Sequence, residues 1–209
     1  IFVDLSHSKS LNKNNFAINL LNAVAKEVFL PFTIGGGVNS VDDFRLFLNN
    51  GADKVSINSS ALTNPQLITD AAKFFGSQCV VVSIDYKKNK TGQFQVYGDS
   101  GTKKYNYHPV EWAKQVEKLG AGEILLTSIG HDGKRNGLDL YISRQVCKAV
   151  SIPVILSGGC GSAKNFIDGF IEAGADAVSA GTFFCFQDQN PMQTRGHIRN
   201  AGIDIRIHT

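Results

Sequence analysis

Three observations predict a parallel α/β fold whose strands close into a ring. Short runs of about four to eight residues, apolar on both faces, recur along the chain. Helical segments of about ten or more residues separate them. A strand that ends in paired glycines occurs twice, in register, with matching neighbours.

The strand candidates are 1–5, 31–35, 54–58, 79–86, 123–129, 153–157 and 177–182. A strand apolar on both faces belongs in a parallel sheet covered by other layers. The helical stretches are 14–28, 41–50, 64–75, 108–119, 139–150, 162–173 and 190–201. In "HPVEWAKQVEKLG", Val110, Ala113, Val116 and Leu119 recur at helical spacing with charges between them. Asn64-Pro65 and Asn190-Pro191 read as an N-cap followed by proline at the first helical position. Gly51, Gly120 and Gly174 stand where helices should stop, which suits left-handed C-caps.

These elements make seven βα units in 209 residues. A (β/α)₈ TIM barrel has eight units and about 250 residues. The chain opens on Ile1-Phe2-Val3-Asp4, inside a strand. The expectation is therefore a single barrel domain over 1–209 that carries units two to eight, with the first βα unit missing from this chain. The one sizeable insertion, about 92–106, alternates polar and apolar residues at Gln93–Tyr97 and predicts a β-hairpin on the loop after the fifth strand of the full barrel. An open doubly wound sheet is the competing architecture, and it has no need of the repeat.

The repeat pairs Pro31 with Pro153, Gly36 with Gly158, Gly37 with Gly159, Ser40 with Ser162 and Phe44 with Phe166. One inserted residue later, "GADKVS" faces "GADAVS", and Asn64-Pro65 faces Asn190-Pro191. The reading is two related half-barrels. Paired glycines let backbone N–H groups approach an anion with no Cβ in the way. The next strand of each half ends in small polar residues beside a helix start, Asn58-Ser59 and Gly181-Thr182, where unsatisfied N–H groups favour phosphate. Two such cradles on opposite sides of one mouth suit a small molecule with a phosphate at each end. Taken singly, a Gly-Gly pair explains no more than a tight βα turn.

Bulk composition excludes other classes. Charged residues are 19% of the chain and net charge is +3, without the clustered Lys/Arg of a nucleic-acid surface. No apolar run approaches a membrane span, and no signal peptide is visible. Cys79, Cys147, Cys160 and Cys185 form no C-x-x-C pair, so neither a zinc site nor a disulfide framework is expected. They read as reduced, mostly buried thiols of a cytoplasmic protein, with no metal or cofactor.

"PFTIGGG", "GADKVSIN", "FGSQCVVVSID", "EWAKQVEKLGAGEILLTSI", "SIPVILSGG" and "AGADAVSAGTFF" resemble the cyclase subunit of imidazole glycerol phosphate synthase, along the whole length. That resemblance implies a barrel of two half-barrels acting in histidine biosynthesis with a glutaminase partner subunit. Ammonia from the partner passes through the barrel to a bisphosphorylated ribulosyl aminoimidazole carboxamide substrate. It places phosphate sites at Gly36, Gly37, Asn58 and Ser59, and at Gly158, Gly159, Gly181 and Thr182. It places an ammonia gate at Lys54 and Glu123, a partner contact at Asp53, and substrate contacts at Asp139 and Ser157. Of the family's two catalytic aspartates, one is assigned to the absent first strand. The other is expected directly after "LLTSI", where Gly130 stands; a glycine moves no proton. Asp4, Asp85 and Asp132 are the carboxylates left to carry proton transfer, with His131 a further substitute.

Gly130 and the C-terminal "FQDQNPMQTRGHIRNAGIDIR" also resemble paralogues associated with sugar amidation in surface-polysaccharide synthesis, which pass ammonia on to a separate enzyme. The sister phosphoribosyl isomerase of histidine synthesis shares the doubled cradle, but "KVSIN" and "GAGEILLTSI" fit the cyclase better.

Overall fold

The computed structural model describes residues 1–3, 16–27, 30–186 and 189–206. Among the described residues, nine strands form one sheet. Seven of them run parallel in strict order: β1 (Phe2–Val3), β2 (Thr33–Gly35), β3 (Lys54–Ile57), β4 (Val80–Lys88), β7 (Glu123–Ser128), β8 (Val154–Ser157) and β9 (Ala177–Ser179). Each strand pairs with its neighbour in sequence, which gives the curled, helix-covered sheet of the TIM-barrel type. The helices between them are α1 (Phe16–Glu27), α2 (Val41–Asn49), α4 (Gln66–Phe75), α5 (Pro109–Leu119), α6 (Leu140–Ala149), α7 (Ala163–Ile171) and α9 (Pro191–Asn200). No helix among the described residues is long and apolar enough to cross a membrane.

The remaining strands, β5 (Phe94–Gly98) and β6 (Lys103–Lys104), are antiparallel. β5 folds back on the outer half of β4, pairing Asp85 with Tyr97 and Lys88 with Phe94. That pairing carries β4 to Lys88, two residues beyond the expected end.

Because strand side chains alternate, each parallel strand serves two cores. Val80, Val82, Ile84 and Tyr86 face the helices and join a large outer core with Phe44, Phe47, Trp112 and Phe166. Val81, Leu125 and Ile155 face the other way and form a small inner cluster, with Ala177 against it.

Two short helices follow β3 and β9 where the sequence reading placed none: α3 (Ser59–Thr63) and α8 (Thr182–Cys185). β9 therefore stops at Ser179, short of 182, and Thr182 begins a helix. Helix α3 also changes the role of Asn64. Its N–H donates to Ser60 O as the C-cap of α3, and α4 starts without a side-chain cap. Asn190 does cap α9: its Oδ1 accepts from Gln193 N at 2.8 Å, with Pro191 at the start of the helix.

The repeat has structural counterparts. Ser40 with Asp43 and Ser162 with Asn165 form equivalent capping boxes at the starts of α2 and α7. Asp53 accepts from Phe32 N at 2.7 Å, and Asp176 accepts from Val154 N at 2.9 Å. In each half a carboxylate at one strand's start thus fastens the start of the preceding strand.

Asp176→Ala leaves the Val154 N–H without its charged acceptor. It is expected to cost about 1.5–3 kcal/mol in urea unfolding. Asp53→Ala, at the more exposed copy, is expected to cost less.

Candidate functional site

The parallel register assigns every inward side chain to a level. At the N-terminal end, Gly35, Ser56, Val81 and Glu123 are neighbours on the inner face. The next level runs through Ser83, Leu125, Ile155 and Ala177. Above it lie Asp85, Thr127, Ser157 and Ser179, at the C-terminal end of the strands. Lys87 continues the β4 column beyond Asp85 by the same alternation.

At the lower end the Lys54 ammonium donates to Glu123 Oε2 at 2.9 Å, from β3 to β7 across the intervening β4. Both side chains are half-buried. Leu125 and Ile155, on the level above this pair, separate it from the carboxylate, and Val81 beside Glu123 packs with them.

Asp85 is the inward carboxylate at the upper end. Burial raises its pKa from 3.8 to about 6; a hydrogen bond from Ser83 Oγ, at 3.1 Å, opposes the shift, and the negative charge of Asp132 adds to it. A carboxyl group held there exchanges its proton near neutral pH, as a general acid–base requires.

Both glycine pairs follow parallel strands, β2 and β8, so they occupy the same end of the sheet. In an eight-stranded ring these strands are four places apart and face each other across the mouth. All four glycines have positive φ, from 69° at Gly37 to 111° at Gly159. Packing explains part of this. A Cβ on Gly158 would meet Ser128 O at 2.6 Å, and one on Gly159 would meet Gly137 O at 2.2 Å. Gly181 differs: its φ is −95° and a Cβ there meets nothing within 4 Å. Neither backbone strain nor packing calls for glycine at that position.

A small concavity brings together Gly158, Gly159, Gly181 and Thr182 with Asp132 and Arg135. Cys160 also lines it, and burial pushes its thiol up to about 12. The neutral thiol adds no negative charge there. At the other side, the Asn58 amide donates to Ser83 O at 3.2 Å, and Ser59 Oγ accepts from Asp99 N at 2.8 Å. Ser59, expected in the first cradle, also holds the turn of the β5–β6 hairpin.

Comparison with known proteins decides the family. Residues 1–190 match the family model described as histidine biosynthesis protein. "Imidazole glycerol phosphate synthase subunit HisF" of Anoxybacillus flavithermus is 44% identical over 207 residues, 99% of this chain and 81% of that protein. The proteins of the same name from Hydrogenobaculum and Geobacillus thermodenitrificans are 45% and 43% identical, with the same coverage. The chain belongs to the HisF family.

The remaining expected positions of this HisF-family chain are placed as follows. Asp4 lies outside the described residues. Asp132 is in the turn after β7, its N–H bonded to Ser128 O at 2.9 Å. His131 is occupied in that loop, with Nδ1 2.9 Å from Gly137 O. Asp139 precedes α6 and makes no side-chain cap. Ser157 faces inward beside Thr127. Asp53 fastens β2, as above. The four cysteines are free thiols; Cys160 is buried, Cys79 and Cys147 are half-buried, and Cys185 is exposed, contrary to the expectation of general burial.

Sequence reasoning missed Lys87 and Arg135. Counting in twos from Asp85 would have turned Lys87 inward. Arg135 stands in a loop without periodicity, at φ +55°, and no sequence signal marks it.

The raised pKa of Asp85 has a sign that stability can test. Folding favours its protonated form, so its contribution is greatest below about pH 4 and falls as pH rises through about 6. Asp85→Asn is expected to gain up to about 3 kcal/mol over wild type at pH 8. The gain should vanish at pH 3.5, read from paired denaturant titrations.

Proposed function

We propose that this chain is the cyclase subunit of an imidazole glycerol phosphate synthase. It takes ammonia from a glutaminase subunit and converts a bisphosphorylated ribulosyl aminoimidazole carboxamide to imidazole glycerol phosphate. The observation that carries this reading is the inner column: an ion pair at the lower end, an apolar belt above it, and a buried carboxylate of raised pKa at the mouth.

Each level has a chemical part. Glutaminase docks below, with Asp53 at its contact, and Lys54 and Glu123 control entry. Ammonia is neutral, so the belt of Val81, Leu125 and Ile155 lets it pass at little desolvation cost while opposing ammonium, whose charge burial penalises. At the mouth, Gly36, Gly37, Asn58 and Ser59 hold one phosphate, and Gly158, Gly159, Gly181 and Thr182 the other. Gly181, a glycine without a structural reason, supports close approach of an anion there. Ammonia attacks the ribulosyl carbonyl between the two cradles. Asp85 moves protons during ring closure and C–N cleavage, with Asp132 as a second carboxylate; Asp139 and Ser157 contact the substrate.

One observation favours a second reading. Gly130 replaces the carboxylate expected after β7, which fits an ammonia-conducting subunit of a sugar-amidation complex. Incubation with the bisphosphate substrate and ammonium salts, without glutaminase, separates the two. Turnover supports the cyclase; binding without turnover supports the conduit. If the cyclase reading holds, Asp85→Asn loses about 10²–10⁴-fold of that turnover.

Two further outcomes test the flanking parts. Gly181→Val is expected to fold normally, since its side chain points into open space, yet to raise the substrate KM at least about tenfold by occupying the cradle. An unchanged KM would remove Gly181 from the phosphate site. Lys54→Ala is expected to change glutamine-dependent turnover while sparing ammonium-dependent turnover. Equal loss of both would end the gate assignment.

A further inference from the structure

Lys87 has a position that neither the family resemblance nor the repeat singles out. It faces inward at the mouth, one step above Asp85 on the same column. Its ammonium donates to Gly101 O at 3.3 Å and lies 4.3 Å from the centre of the Tyr97 ring. Both are uncharged partners. Among the described residues no carboxylate lies within ion-pair distance of it.

Two neighbours define what this cation can reach. The first is the hairpin turn. Gly101 N donates to Gly98 O at 3.1 Å, closing a β-turn whose ends are less than about 7 Å apart. Lys87 holds one end of that turn at Gly101. Ser59 holds the other, accepting from Asp99 N and lying 3.3 Å from the Cβ position of Gly98. The ammonium and the Ser59 hydroxyl thus fasten opposite ends of one turn, beside the first cradle.

The second neighbour is Gly130. A Cβ built there meets the Lys87 Cβ at 3.6 Å, an ordinary contact, and the backbone is not in the left-handed region. An aspartate at this position would fit without strain and would place its carboxylate within reach of the Lys87 side chain. With glycine, the ammonium has no such anion beside it.

We infer that Lys87 is a phosphate-binding residue of the first cradle, and that Gly130 determines substrate affinity by leaving Lys87 unpaired. This rests on the reading of the mouth as a bisphosphate site. The absence of a side chain at 130 is then a gain of positive potential at the rim rather than the loss of a proton carrier. Phosphate draws the ammonium from the Gly101 carbonyl and the Tyr97 ring into a charge-assisted hydrogen bond, the stronger of the two kinds of contact.

The test measures inorganic phosphate affinity by calorimetry for wild type, Lys87→Met, Lys87→Arg, Gly130→Asp and the Lys87→Met/Gly130→Asp double variant. Circular dichroism melting checks that each is folded. Lys87→Met and Gly130→Asp are each expected to weaken phosphate about tenfold, the effect of one charge-assisted hydrogen bond. The double variant should be no weaker than either, and Lys87→Arg should retain most of the affinity. An unchanged affinity in Lys87→Met overturns the assignment of Lys87. Weakening in Lys87→Met without weakening in Gly130→Asp overturns the role of Gly130. Loss of affinity in Lys87→Met that Lys87→Arg fails to restore, with new protease cleavage at 99–101, assigns Lys87 to hairpin anchoring alone and also overturns the proposal. Because the probe is phosphate, wild type that binds it without cyclase turnover refutes the proposed reaction and leaves this inference standing.

Discussion

The alternation of side chains along parallel strands is the constraint on which the rest depends. A strand in this sheet is covered on both faces, so every residue belongs either to the outer core beneath the helices or to the narrow inner column. In β4, Val80, Val82, Ile84 and Tyr86 are spent on the outer core. That leaves Val81, Ser83, Asp85 and Lys87 for the inside, in rising order of polarity. Moving the register by one residue would exchange the two sets and bury Lys87 among the outer-core side chains, so the outer core also fixes the chemistry of the inner column.

Much of this was legible in the sequence. The seven parallel strands and the long helices follow from apolar runs and periodicity, and the expected ranges end within a few residues of the observed ones. The doubled glycines and the "GAD" copies revealed the repeat, and both equivalent capping boxes follow from it. What escaped was what depends on contact between distant segments. Helices α3 and α8 are a single turn or so long, too short for periodicity to register. Asn64 is polar and precedes a proline, so its N-cap reading was reasonable; the preceding helix claimed it first. The latch between Ser59 and Asp99 joins residues forty positions apart, and no local pattern encodes it.

Electrostatics distinguish the two ends of the column. Below, a cation and an anion satisfy each other. Above, Asp85 is kept largely from solvent, and the nearest negative charge, on Asp132, makes ionisation harder. The Cys160 thiol beside the second glycine turn stays neutral for the same reason of burial. Asp85 therefore adds little negative charge to the mouth under mildly acidic conditions, which suits the anionic ligand proposed for it.

The two capping boxes are alike in geometry and unlike in formal charge. At the first, the Asp43 carboxylate accepts from the N–H groups of Asn39 and Ser40, beside Gly37. At the second, the Asn165 amide oxygen accepts from Gly161 and Ser162, beside the turn of Gly158 and Gly159. The two copies share their hydrogen bonds and differ by one unit of negative charge. The sheet thereby acquires a polarity that its backbone symmetry lacks, and the elongated ligand proposed for it, with dissimilar anionic ends, would meet a reason to lie one way round.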